Sequence, residues 1–438
     1  MKQLYLLVFI TSLTLHAFAQ QASLTPLNMG PNRYPNYLSA PEHDVLWAGT
    51  YGWSSGGQYN SKVFARTTDR GVNWTQGVVT DPEDRGITCI FALNSDVAWA
   101  GLVDINQVNT CAMWKTIDGG VNWTRQNDSG FTYSASFVST IYFFNADSGV
   151  AIGGPVWNNP GYTLEAYTTT DGGDHWVRVD PANMPAVNTI DYTYNNGYAA
   201  IGNSIWIPTG IGKIIYSHDR GYTWSVSTPG ITGYTISMTN ENDGALSTSS
   251  NTVFYTHDGG MSWWPQSCPV NVYTFSAIPG YANCFVFRTD IGICATVDNF
   301  QNYFLINDQL PFVTEQLIMY DRTIGWNSAG DSHTDSMMVK IEDVLASVNS
   351  SESNNLNMAL FPNPVSHGAS MLSFTSQKTG SIHVKILDLR GAVIQQKQFL
   401  VNAGAQAVQL DLNDLPSGMY VVDALTEYGN SRRMLVVE

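Results

Sequence analysis

The stretch Thr67-Thr68-Asp69-Arg70-Gly71-Val72-Asn73-Trp74 decides the fold, because it comes back. Written as Ser/Thr-x-Asp-x-Gly-x-x-Trp, it recurs at Thr116 to Trp123, Thr169 to Trp176, Ser217 to Trp224 and Thr256 to Trp263. The aspartates Asp69, Asp118, Asp171, Asp219 and Asp258 are spaced 49, 53, 48 and 39 residues apart. A worn sixth copy is Thr296-Val297-Asp298 with Tyr303 in the tryptophan place, 40 residues beyond Asp258, and a seventh survives as Lys340-Ile341-Glu342-Asp343. The residue types are those of a hairpin corner. An aspartate accepts backbone N–H groups from its own turn, a glycine two residues later tolerates φ > 0, and the tryptophans Trp74, Trp123, Trp176, Trp224 and Trp263 bury a ring beneath the turn. The aspartates are therefore read as structural, and no metal or cofactor is expected. Asn73-Trp74-Thr75 and Asn122-Trp123-Thr124 match a glycosylation sequon but are accounted for by the corner.

A second phrase precedes the corners: Asp44-Val45-Leu46-Trp47, Asp96-Val97-Ala98-Trp99, Asp147-Ser148-Gly149-Val150 and Thr323-Ile324-Gly325-Trp326. With period-2 alternation each unit reads as four strands, in the second unit 87–93, 97–102, 111–116 and 122–126. Four strands every 40 to 50 residues or so is the repeat of a propeller blade. The fold class expected is all-β, a seven-bladed β-propeller followed by a small Ig-like β-sandwich. Closure needs one blade built from both chain ends, and 22–27 reads as the outer strand that completes the seventh.

The corners resemble the Asp boxes of the BNR family, found in sialidases, sortilin-type propellers, photosystem-assembly-like factors and xyloglucan-degrading enzymes. That resemblance implies a rigid ring whose boxes sit on the rim and do not catalyse, and fold-level likeness by itself carries no function.

The two ends read as addresses. Lys2, an apolar run from Leu4 through Leu15 and Ala17-Phe18-Ala19 make a signal peptide over 1–19, too short to span a bilayer. Five scattered cysteines form no CxxC pair, and Cys284 and Cys294 could bridge two short strands in an oxidising compartment. The propeller is placed at 20–347 and a polar linker at 348–357. Beyond it stand Phe361-Pro362-Asn363-Pro364, Asp388-Leu389-Arg390-Gly391, Leu415-Pro416-Ser417-Gly418-Met419-Tyr420 and a basic-apolar end at Arg433-Met434-Leu435-Val436-Val437. Residues 358–438 thus resemble the C-terminal sorting domain of the type IX secretion system of Bacteroidetes. The resemblance implies a partnership with that machinery, removal of the tail, and release or surface tethering of the cargo.

Only 13% of the 438 residues are charged, against 12% aromatic and 44% hydrophobic, which excludes a disordered chain. Lys and Arg total 20 against 36 Asp and Glu, a net charge of −16 that excludes a phosphate-tracking surface and hence nucleic acid. A monomer is expected. Strand alternation puts the turns between strands one and two on the same face as the corners. The opposite face carries long loops at 50–61, 103–110, 154–164, 203–212 and 327–336, where binding loops are expected. Their aromatics Tyr51, Trp53, Tyr59, Trp157, Tyr162 and Trp206, beside Gln58, Asn106, Asn109, Asn158 and Asn159, are the ligand candidates for an extracellular glycan or protein.

The competing reading is a glycoside hydrolase. Arg33, Arg85, Arg66 and Arg288 are the arginines with access to that face for a sialidase-like carboxylate clamp. A retaining or inverting carboxylate pair could come from Asp81, Glu83, Asp84, Asp104, Glu165, Asp180, Asp331 or Asp335. Arg33-Tyr34-Pro35 only echoes the sialidase phrase, and nothing in the spacing brings two acids together. Catalytic residues remain unassigned at this level, and a secreted non-catalytic binder is the expectation.

Overall fold

The computed structural model describes residues 22–27, 29, 32–54, 57–104, 111–126, 131, 137–230, 235–248, 250–281, 283–307, 316–329, 337–342, 358–365, 368–376, 379–388, 393–426 and 429–437. The signal peptide, the linker, Asp343, Asn106, Asn109, Asp331, Asp335 and the Leu389-Arg390-Gly391 turn lie outside them. Before the linker the described residues form seven antiparallel sheets of four strands, the first with a short added strand, Gly57–Tyr59. The innermost strands are Arg33–Glu42, Gly86–Ala92, Val138–Phe143, Ala199–Ile201, Thr235–Met238, Thr274–Ala277 and Leu317–Met319. Arg33–Glu42 touches both Gly86–Ala92 and Leu317–Met319, so the sheets close into a β-propeller ring. The last sheet takes its outermost strand, Ala22–Pro26, from the start of the chain, with Leu24 opposite Val339 of Met337–Glu342.

Composition sorts the strands by depth. Gly86–Ala92, with the sequence GITCIFA, is buried at every position, whereas the outer strand Thr75–Val78, TQGV, is mostly exposed. A strand covered on both faces needs a continuous apolar run, and one at the rim does not. The second unit's strands are Gly86–Ala92, Ala98–Val103, Ala112–Thr116 and Thr124–Arg125, close to the expected spans.

Six corners repeat one set of hydrogen bonds. In the first, Thr67 Oγ1 donates to Asp69 Oδ1 at 2.9 Å and accepts from Gly71 N–H at 2.8 Å, while Asn73 donates its N–H to Asp69 Oδ1 at 2.8 Å and its amide to Oδ2 at 2.7 Å. Arg70 N–H reaches Asp44 O at 3.1 Å, which ties the corner to the turn between strands one and two and fixes both on one face. The worn copy keeps the bonds: Thr296 Oγ1 donates to Asp298 Oδ1, and Asn302 N–H and side chain both donate to Asp298. Phe300 occupies the glycine place there at φ 66°. At Gly260 the glycine is required twice, by its φ of 87° and because an added Cβ would meet Trp206 Nε1 at 2.9 Å.

That contact shows how neighbouring sheets lock. Trp206 donates to Gly259 O at 2.6 Å, and Trp47 donates to Asn94 O at 3.1 Å, each into the next sheet. Trp326 meets Trp74 edge-on at 5.9 Å and so joins the last sheet to the first. Trp47 likewise meets Trp123 edge-on at 6.4 Å, and Phe143 stands between Trp99 and Trp176. The five cysteines are all free and buried, so the Cys284–Cys294 bridge does not form. Cys294 faces Phe287 across the hairpin, and Cys284 lies beyond that strand's start.

The tail folds separately around its own core of Leu372, Phe374, Ile382, Ile386, Val422 and Leu435. Three strands, Met358–Phe361, Ala369–Ser376 and Gly404–Asp411, make one sheet. Val393–Val401, Gly380–Leu387, Gly418–Thr426 and Gly429–Val437 make the other. The sequence landmarks meet here: Asn363 Oδ1 accepts from Val436 N–H at 2.8 Å, and Tyr420 Oη donates to Pro416 O at 2.8 Å.

Candidate functional site

The inner strands leave a cavity of 1210 Å³ along the ring axis. Its lining runs from Tyr51, Gln58, Tyr192 and Tyr273 at the loop face to Pro41, Pro279 and Gly280 at the corner face. No Asp, Glu, Lys, Arg or His stands among the described residues that line it, in a chain with 36 acidic side chains. Tyrosines dominate instead: Tyr51, Tyr142, Tyr192, Tyr194, Tyr198 and Tyr273, beside Asn36, Asn195 and Gln316. Burial pushes the Tyr142 and Tyr198 phenols above their ordinary range, so both stay neutral donors.

The axis is not empty. Between the third and fourth sheets the chain leaves the rim after the 3-10 turn Pro181–Asn183 and dips inward over 188–197 before entering the short inner strand Ala199–Ile201. Its base is held by buried Asp191, which accepts from Lys213 Nζ at 2.8 Å, Asn188 N–H at 2.8 Å and Thr209 Oγ1 at 3.1 Å. Its tip is Asn196, at φ 55°, whose N–H donates to Ser139 O in the third sheet at 2.7 Å. The Asn196 amide then donates to Leu38 O in the first sheet at 3.1 Å and to Gln316 Oε1 beside the seventh at 3.3 Å. Gln316 answers with Nε2 to Asn196 O at 3.4 Å and accepts from Leu38 N–H at 2.6 Å. A residue of the connection between the third and fourth sheets thus bonds to the opposite side of the ring.

The sequence candidates separate. Tyr51 lies opposite Tyr34 on the strand Val45–Ser54 and lines the cavity. Trp53 is on the same strand opposite Gln58, its ring outside the described side chains. Tyr59 donates to Asn32 O at 2.9 Å and packs on Gly52, outside the cavity. Trp157, 55% exposed, and half-buried Tyr162 pair edge-on at 5.1 Å at a hairpin tip on the rim. Trp206 is a correction: it is 0% exposed, on the second strand Ser204–Pro208, and belongs to the inter-sheet lock. The span 203–212 is accordingly half strand, and the connecting loop is only 209–213; Gly154–Leu164 is largely a hairpin continuing to Trp157.

Most of the charged candidates are engaged away from the cavity lining. Asp81, buried, accepts from Arg85 Nη1 at 3.0 Å, Trp114 Nε1 at 2.8 Å and Glu83 N–H at 2.7 Å. Asp104 is buried and accepts from Asn60 at 3.2 Å, Glu165 is buried and accepts from Tyr167 Oη at 2.8 Å, and Asp180 caps Ala182 N–H at 2.9 Å. Arg66 donates to Ser95 O and stacks on Trp47, Arg33 donates to Met29 O at 3.4 Å, and Arg288 lies over the Tyr273 ring at 5.2 Å. Glu83 and Asp84 remain exposed on the connection between the first two sheets. Among the described residues no three His, Cys, Asp or Glu converge as a metal site.

Sequence reasoning passed over Tyr142, Tyr192, Tyr194, Tyr198, Tyr273, Asn196 and Gln316. The run Asp191-Tyr192-Thr193-Tyr194-Asn195-Asn196-Gly197-Tyr198 was a usable signal: it lies between two units, where a connection must cross the loop face.

Residues 359–438 match the family described as the secretion system C-terminal sorting domain. The chain therefore carries a type IX sorting tail, which directs it to the cell surface or the extracellular space and implies contact with the secretion machinery. No curated protein matches the chain. Among solved structures, YCF48 bound to a D1 peptide is 12% identical, aligns over 74% of this chain and 95% of that one, and has a TM-score of 0.54. YCF48 from Cyanidioschyzon merolae is 11% identical over 73% of this chain and 98% of that one, with a TM-score of 0.53. These likenesses show the β-propeller fold. An ancestral GH74 enzyme, at 12% identity over 94% of this chain and 63% of that one, has a TM-score of 0.48, too low to carry weight.

Proposed function

We propose that this protein is an exported, non-catalytic recognition module that holds an uncharged ligand at the loop face and in the mouth of the axial cavity. The observation that carries it is the lining: tyrosines and amides without one Asp, Glu, Lys, Arg or His among the described residues. Phenol rings supply contact area and a hydrogen-bonding tip, and amides supply donors and acceptors, which suits a neutral glycan or an uncharged protein segment. A glycosidase needs two facing carboxylates, and Asp81, Asp104 and Glu165 are bound into structural networks instead. A similar ring holding a peptide supports recognition as an occupation of this fold. The corner bonds and the seven closed sheets support an Asp-box, seven-bladed reading, the two tail sheets support an Ig-like sandwich, and a monomeric ring is part of the proposal.

The test is a binding screen of the full chain against neutral and charged glycans and blocked peptides, with glycoside hydrolysis assayed in parallel. Uncharged ligands should bind, Tyr51→Ala and Tyr192→Ala should each weaken them, and no glycoside should turn over. Selective capture of acidic or basic ligands, or turnover, overturns the reading.

A further inference from the structure

The axial segment decides how a ligand can enter, and this rests on the loop-face reading above. The cavity is bordered along the first inner strand by 36–41, and Asn196 and Gln316 meet Leu38 in the middle of that span. The bonds that join Asn196, Gln316 and Leu38 cross from one side of the ring to the other partway along this lining, so a polymer entering along the axis meets them. Those bonds are not incidental contacts. The segment is anchored at its base by the buried Asp191–Lys213 pair at 2.8 Å, and Gln316 is itself fixed by Ser328 Oγ accepting from its N–H at 2.9 Å and by Asn327 donating to its carbonyl at 2.8 Å. These bonds hold the segment at its base and at its tip, while Asn196 Oδ1 and Asn327 Oδ1 stay buried without a protein partner among the described residues.

We infer that the loop-face half of the cavity is a dead end that takes the terminal unit of a neutral glycan, with the Asn196–Gln316 tie as its floor. A blind site selects chain ends. The end of a peptide carries an ammonium or a carboxylate, and moving either past Tyr273, which Arg288 and Asp290 flank at the mouth, into a lining with no Asp, Glu, Lys, Arg or His among the described residues leaves it desolvated and unpaired. The end of a neutral glycan is a polyol, whose hydroxyls can exchange water for Tyr51, Tyr192 and Tyr194 Oη and for the amides of Asn36, Asn195 and Gln58, all on the lining. Tyr192, 48% exposed, stands at the entrance as the ring on which the last sugar face can lie.

The experiment is calorimetry on the full chain with neutral linear hexose oligosaccharides of increasing length, each compared with an end-free form and an oxidised form. The end-free form is the cyclic or end-capped version, and the oxidised form carries a carboxylate on the terminal sugar. Affinity should level off after a few units, and the end-free and oxidised forms should each bind at least tenfold more weakly. Gln316→Ala, checked for an unchanged melting curve, should shrink the difference between linear and cyclic ligands; Tyr192→Ala should weaken all of them without touching that difference. Equal affinity for linear and cyclic forms overturns the inference, as does a failure of every neutral oligosaccharide to bind. In that second case, Tyr51- and Tyr192-dependent binding of a blocked, uncharged peptide would leave the loop-face reading standing and remove only the glycan end.

Discussion

At the corner face, six sheets answer their polar groups in the same order: hydroxyl to carboxylate, the N–H four residues on to the same carboxylate, corner N–H to the neighbouring turn. At the loop face the sheets differ from one another. The first adds a strand, the third extends a hairpin to Trp157, the fourth sends 188–197 across the axis, and the sixth turns on Thr289 to Gly292. Repetition on one face serves the scaffold, and irregularity on the other is what the proposed recognition would draw on.

The contrast can be broken most directly at Trp206, which sequence placed with the ligand and the fold places in the lock. Trp206→Ala should cost about 3–5 kcal/mol in denaturant unfolding, with ligand affinity of the folded fraction unchanged. An affinity loss without destabilisation would return Trp206 to the site. Tyr192→Ala is the mirror experiment: melting should hold while affinity falls about tenfold, roughly 1.4 kcal/mol. Instability comparable to Trp206→Ala would make Tyr192 scaffold.

The corners titrate in a defined direction. The His175 N–H held by Asp171, with the His175 side chain, lowers that carboxyl from 3.8 to about 2, and the Asn73 and Asn122 N–H groups lower Asp69 and Asp118 in the same sense. A depressed folded pKa means that the stabilisation is complete above the unfolded value and is lost as pH falls through the folded one. Thermal stability should therefore decline between about pH 4 and about pH 2, and Asp171→Asn should flatten that slope without altering ligand affinity at neutral pH. A slope unchanged in the variant would separate the corners from acid stability. The smallest effect concerns the thiols. Burial pushes Cys89 and Cys284 up to about 12 and Cys294 to about 11, so none should react with a thiol reagent in the native state at neutral pH. Mass spectrometry showing labelled native protein, or a disulfide, would contradict this.

Much of the scaffold could be read because its signals are local. Thr67, Asp69 and Gly71 satisfy one another within five residues, and the alternation of Ala98-Trp99-Ala100-Gly101 needs only its neighbours in a strand. Even the Trp206 error was avoidable. Asn203-Ser204-Ile205-Trp206 sets a tryptophan three residues after a turn residue, as do Asp44 to Trp47, Asp96 to Trp99 and Thr323 to Trp326. Of the six ligand candidates only Tyr51 reached the cavity within the described side chains, because exposure of a loop says little about where a strand's edge will point.

The sequence alone determined the repeating unit, the corner chemistry, the borrowed strand at 22–26 and the address carried by the tail, since each follows from residues close together or from a fixed period. Only the tertiary structure decided the cavity and its floor. Tyr51, Tyr142, Tyr198, Tyr273 and Gln316 come from different sheets and become neighbours only when the ring closes. Asn196 and Leu38, 158 residues apart, share a hydrogen bond because closure brings opposite sides of the ring within reach of one crossing segment.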